Sequence, residues 1–184
     1  PWTLNLNGRL AKHGEQRYGG TFGLNSKHWS NMLSANYNTT DNYSVNSGAN
    51  PVTRVISTIY GNKTINTREQ LTWKPSTALS FTGRAGYFFR ETTRTIGQPE
   101  RYRDFSGGLR MNWTMSAFDQ LRVNYSFDQY DKSNYQTVRR LDIRSYSNVQ
   151  NTVRALYSHE FERGDVLTLG SDYMHDYLYN NNLD

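Results

Sequence analysis

The sequence predicts an all-β protein of long antiparallel strands in up-and-down order, each with one apolar and one polar face. Three observations predict it. Apolar residues recur at every second position over many segments, as in a pleated strand. No segment holds apolar residues at helical spacing for three turns, because Gly, Asn and Thr interrupt each candidate. Turn residues punctuate the chain in two alternating kinds of connection. The composition agrees: Tyr (14), Phe (8) and Trp (4) combine with abundant Asn, Ser, Thr and Gly, which is strand-like, and only 35% of the 184 residues are hydrophobic, lean for a self-contained core.

The elements follow in order. Trp2, Leu4, Leu6 and Leu10 alternate first, then Tyr18, Phe22 and Leu24, then Trp29, Leu33, Ala35 and Tyr37. The clearest strand covers 77–90, with Leu79, Phe81, Gly83, Ala85, Tyr87 and Phe89 on one face and Ser80, Thr82, Arg84, Gly86, Phe88 and Arg90 on the other. Phe105, Gly107, Leu109, Met111, Trp113 and Met115 continue the pattern, followed by Leu121, Val123, Tyr125 and Phe127. Val149, Val153, Ala155, Tyr157 and Phe161, then Leu167, Leu169 and Tyr173, complete it. Glu69 and His159 fall on the apolar face, beside Leu71 and Trp73 and beside Tyr157 and Phe161, so either a bulge flips the register at each or the face assignment fails there.

Short turns are predicted at 25–28, 74–76, 116–119 and 162–165. Longer polar connections lie between them at 41–53, 93–101 and 131–140, with a tighter one at 13–16. Short turns recur about every 42 to 49 residues, which leaves strands of roughly 15 to 20 residues, longer than the 9 to 11 that cross a hydrocarbon layer. Trp29, Trp73, Trp113 and Phe161 lie beside short turns, while Tyr37, Tyr87, Tyr125 and Tyr157 fall farther along the apolar faces, in the manner of two interfacial girdles. Greasy outer faces, polar inner faces and alternating short and long connections together predict an antiparallel up-and-down transmembrane β-barrel in a bacterial outer membrane, in contact with its lipid. About nine strands are counted. Nine cannot close an even barrel, and the chain ends in the polar stretch 180–184, so residues 1–184 are expected to form part of a larger barrel domain.

Other classes recede. No apolar run approaches the length of a membrane-spanning helix, and zero cysteine rules out disulfide and thiol chemistry. The net charge of +5 comes from Lys and Arg scattered singly along strands, so no nucleic-acid partner is expected. His13, His28, His159 and His175 are isolated, with no serine elbow, HExxH or phosphate loop; an enzyme, a cofactor and a resident metal are not expected.

At this point YGGTFGLNSKHWSNMLSANYNTT (18–40), KPSTALSFTGRAGYFFRET (74–92) and LTLGSDYMHDYL (167–178) resemble the barrel strands of TonB-dependent outer-membrane receptors. The resemblance covers nearly the whole chain, in strand and turn style rather than in an invariant motif. It implies a 22-stranded barrel, of which these strands would form about two-fifths, filled by a plug domain. It further implies a TonB-type energy-transducing partner and a small-molecule metal chelate as ligand, a ferric siderophore or haem, with cobalamin as the alternative. Neither a plug nor its energy-coupling segment is recognisable here.

In this register Arg84, Arg90, Arg110, Arg122 and Arg154 face the barrel lumen, where they draw in an anionic chelate or pair with carboxylates of the plug. Tyr43, Tyr60, Tyr130 and Tyr135 are candidate ligand contacts on external loops. His175 and His13 near that rim are candidate haem ligands or plain surface histidines. Two other readings remain open at this stage. A stand-alone eight-stranded structural or adhesive barrel requires a closed sheet with a packed interior, and a soluble glycan-binding β-sandwich requires Leu79, Phe81, Tyr87 and Phe89 to face a second sheet.

Overall fold

A computed structural model describes residues 1–45, 58–95 and 97–181 of the chain. It is all-β. Nine strands form one antiparallel sheet in the order β1 (Trp2–Leu10), β2 (Gln16–Asn25), β3 (Trp29–Thr40), β6 (Asn62–Trp73), β7 (Leu79–Thr95), β8 (Gln98–Thr114), β9 (Asp119–Gln136), β10 (Leu141–Glu160) and β11 (Val166–Asn180). A two-stranded ribbon, β4 (Tyr43–Ser44) with β5 (Thr58–Ile59), sits between β3 and β6. Every strand of the large sheet pairs with its neighbour in sequence, so the topology is a plain meander.

The period-two reading transfers directly to the sheet. Directly paired residues share a face, and Trp73–Phe81, Tyr87–Phe105, Leu109–Tyr125 and Tyr157–Leu169 all pair across strands. One face is therefore apolar from β1 to β11, and the other carries Ser, Thr, Asn, Gln and Arg. No second layer covers the apolar face: among the described residues no hydrophobic side chain is buried, and Leu6, Leu109 and Tyr173 are each more than half exposed. The sheet is not closed; β1 and β11 are unpaired along their outer edges among the described residues. An eight-stranded barrel would need closure, and a sandwich would need a sheet over Phe81 and Leu109. Neither feature is present among the described residues.

All four short turns fold at one end of the sheet, as expected, and the ends of adjacent hairpins are tied together there. The Lys74 amide donates to the His28 carbonyl, and the Glu160 amide to the Phe118 carbonyl. Aromatic side chains line this end: Trp29 stacks on Trp73 with centroids 5.5 Å apart, Trp73 stacks on Phe81 at 5.6 Å, and Trp113 pairs with Leu79. Tyr157 belongs to this end as well rather than farther up, because its hydroxyl donates to Asp119 at the start of β9.

The opposite end differs from the sequence expectation. The connections expected at 93–101 and 131–140 are mostly strand: β7 and β8 run to Thr95 and from Gln98, and β9 runs to Gln136 before a four-residue turn ending at Arg140, whose φ is 53°. The polar residues there pair across strands instead of forming loops, which makes β7 to β10 the longest strands, 17 to 20 residues each. Much of the connection expected at 41–53 and most of the stretch 180–184 lie outside the described residues.

No bulge occurs at Glu69 or His159; each polar side chain finds a partner on the apolar face. The Asn31 amide donates to Glu69 Oε1 at 3.0 Å, and His159 Nδ1 lies 2.7 Å from Asp119 Oδ1. The bulges fall elsewhere, between Thr92 and Thr95 and between Arg144 and Tyr146, where the tall hairpins rise above the rest.

Candidate functional site

The polar face is concave. A cleft of about 910 Å³ opens on it and is lined from β3 across to β10, which requires the sheet to curl toward that side. Its floor is built from small residues: Gly86, Ser106, Gly108 and Ser126 sit on the polar face of three successive strands, with Gly86 paired to Ser106 and Gly108 paired to Ser126. Absence of bulk there leaves the backbone as the floor, and longer side chains form the walls.

All five arginines of the sequence expectation lie on this polar face, and Arg84, Arg110 and Arg154 line the cleft. Arg122 lines a smaller adjoining hollow nearer the short turns. Arg90 stands above, its guanidinium 6.0 Å from the Tyr102 ring. The sequence reading missed Arg68, which joins the cleft from β6. Its parity with Arg84 across a sheet register was the available signal, but β6 alternates too weakly in hydrophobicity to fix that register alone.

The tyrosines regroup. Tyr130 lies inside β9 on the concave face, in a row with Tyr102 (6.3 Å between centroids) and Tyr146 (5.9 Å), and Lys132 lies 5.5 Å from the Tyr102 ring. Tyr102 and Tyr146 had not been singled out. Tyr135 ends β9 on the opposite face, where the Arg101 guanidinium stacks 3.5 Å from its ring centroid. His175 is inside β11, paired with Asn151 on the apolar face, so it and Tyr130 lie on opposite sides of the sheet. Of the four tyrosines expected on loops, Tyr130 and Tyr135 are thus strand residues, Tyr43 lies in the short β4 ribbon with its ring stacked on His13 at 3.9 Å, and Tyr60 lies in the connection between β5 and β6; His175 is a strand residue as well. No group of three metal-ligating side chains is found among the described residues.

Above the apolar band the convex face becomes charged. Arg101 bonds Glu91 at 2.6 Å and Asp142 at 3.2 Å, and Arg103 bonds Asp142 at 2.9 Å. Ser133 donates to Asp142 at 3.1 Å, and Arg144 lies 3.7 Å from Asp131. Burial works to raise the Asp142 pKa, but the Arg103 hydrogen bond together with the Arg103 and Arg101 charges outweighs it and holds the carboxyl below its ordinary value. A depressed folded pKa gives stability that is complete above the unfolded carboxylate value and is lost as pH falls through the folded one. Amide protection at the upper ends of β8, β9 and β10 is therefore expected to drop as pH falls below about 4. Asp142→Asn should remove most of that pH dependence; hydrogen exchange read by mass spectrometry checks both.

No family model and no curated protein sequence matches the chain, so the meaning of this site is argued from its geometry.

Proposed function

We propose that this sheet is a section of the wall of a bacterial outer-membrane β-barrel, its convex apolar face against lipid and its concave face toward a polar lumen. One observation carries the reading: an apolar face spans nine strands, and no apolar side chain on it is buried among the described residues. A contiguous greasy surface of that extent calls for apolar surroundings. Its height fits a bilayer. From Leu79 to Phe89 the apolar stretch of β7 is about 34 Å long at ~3.4 Å per residue, which becomes about 25 Å at the usual tilt of a membrane strand. Trp29, Trp73 and Trp113 mark one edge of that band, and the Arg101 and Arg103 network marks the other. Unpaired outer edges at β1 and β11, with an odd strand number, favour a larger barrel, on the family resemblance one of 22 strands.

Within that barrel the chain belongs to an active-transport receptor for a scarce nutrient such as a ferric siderophore or haem, with a plug domain and a TonB-type protein as partners. The strand resemblance and the arginine-lined concave cleft support this assignment. The tall β7 to β10 hairpins carry the wall beyond the apolar band, where an external ligand would first meet the protein.

Residues 1–184 hold no cysteine, so in a full-length protein with any other cysteine replaced by serine, single replacements here report cleanly. Phe81→Cys, Leu109→Cys and Val123→Cys, labelled with a bimane in the full-length protein in its membrane, are expected to be quenched by nitroxide lipids. Thr82→Cys and Ser126→Cys are expected to react with a membrane-impermeant maleimide. Equal reactivity of both sets toward the water-soluble reagent defeats the membrane reading, and absence of energy-dependent ferric-chelate uptake by the full-length protein defeats the receptor reading.

A further inference from the structure

Four arginines cross the concave face on one diagonal. Arg68 pairs with Gly86, Arg84 with Gln70 and Gly108, Arg110 with Thr82 and Asn124, and Arg122 with Asn112 and Leu156. Each lies one strand over and two residues closer to the short-turn end than the one before, a step of about 8 Å from strand spacing and rise.

The partners of these arginines set them apart. Arg84 Nε donates to Gln70 Oε1 at 3.0 Å, Arg110 Nε to Asn124 Oδ1 at 2.8 Å, and Arg122 Nε to Asn112 Oδ1 at 3.1 Å. Each amide holds its guanidinium through Nε and leaves both terminal nitrogens without a partner among the described residues. Arg68 has no partner among them at all. Other arginines of the same sheet take carboxylates: Arg154 takes Asp172 through two bonds of 2.6 and 3.0 Å, Arg17 takes Glu15, and Arg101 and Arg103 take Asp142, while Arg90 above the ladder lies against the Tyr102 ring. A carboxylate partner cancels charge; an amide partner fixes the side chain and keeps it. The result is a row of oriented, uncancelled cations beside a cleft of about 910 Å³, whose forks match carboxylate geometry. A step of about 8 Å is too wide for one carboxylate to span, so each arginine would take its own.

We propose that the Arg68, Arg84, Arg110 and Arg122 ladder binds a diffusible polycarboxylate. Resting on the transport reading above, this makes the cargo an anionic carboxylate chelate of a metal rather than a neutral one.

The test uses the full-length protein, in its membrane and purified in detergent, with ferric citrate and a neutral ferric trihydroxamate as probes. Arg84→Gln combined with Arg110→Gln is expected to weaken ferric citrate binding about a hundredfold, from two lost charge-assisted pairs. The trihydroxamate should be unaffected. Arg84→Lys with Arg110→Lys should restore part of the affinity, and Arg9→Gln, on β1 away from the cleft, should change nothing. Heat-modified gel mobility establishes that each variant is folded. Unchanged ferric citrate affinity in the double Gln variant overturns the ladder, as does an equal loss for both probes. A lower melting temperature with unchanged citrate affinity also overturns it, and assigns the arginines to carboxylates of the protein's own interior polypeptide. The two readings fail separately. Citrate binding that depends on the ladder without cellular uptake defeats transport alone, and uptake of chelates that ignores both arginines defeats the ladder alone.

Discussion

Leu109→Arg is expected to destabilise the folded protein in phospholipid vesicles by about 2–4 kcal/mol, the cost of a guanidinium near the middle of a lipid-facing band. Leu109 is 64% exposed and lies midway between Phe105 and Trp113, with Gly83 and Tyr125 as its cross-strand neighbours on the apolar face. An exposed leucine on a protein in water would accept arginine with a change of about 0.5 kcal/mol or less. The size of the effect therefore separates lipid from water as the surroundings of this face. Gln129→Arg, at the upper margin of the band, should cost about 0–1 kcal/mol. Urea unfolding in vesicles, followed by tryptophan fluorescence, reads both.

Gly108→Ala should cost about 1–3 kcal/mol for a different reason, overpacking against main chain. A Cβ at Gly108 would sit 2.7 Å from the Tyr125 carbonyl oxygen, and a carbonyl inside the β8–β9 ladder cannot swing aside as a side chain does. Gly86→Ala is the milder companion, because its Cβ would meet the Ser106 hydroxyl at 2.6 Å and that group can rotate. The expected order of unfolding midpoints is wild type, then Gly86→Ala, then Gly108→Ala. The reverse order would mean that the β8–β9 backbone yields more easily than its register implies.

Much of the sheet was legible in the residues because alternation and turn chemistry agree. In β7 the apolar and polar sets separate with Phe88 as the exception, so the faces and both neighbours followed. The ends of the tall hairpins were misread as loops for a definable reason. In ETTRT and PERYR both faces are polar, hydrophobic alternation vanishes, and the strand continues on ion pairs such as Arg101 with Glu91. Opposite charges at paired registers were the signal to seek. Placing Tyr130 and Tyr135 in loops followed from the same misreading. The arginines facing the cleft were visible one strand at a time, but the diagonal that relates Arg68 to Arg122 exists only across four registers, and the amides Gln70, Asn112 and Asn124 gain meaning only through it. Glu69 and His159 stay on the apolar face because Asn31 and Asp119 reach them, a pairing that one strand alone cannot reveal.

The meander order carries a consequence for how the chain acquires its shape. Each strand of the large sheet touches only the strands before and after it in sequence, and no buried apolar cluster joins distant segments among the described residues. Folding then resembles a zipper closing tooth by tooth rather than a collapse, with cooperativity passed between adjacent hairpins as in solenoid arrays. Within this section of wall, β7 to β10, whose ladders are longest, should be the last to let go.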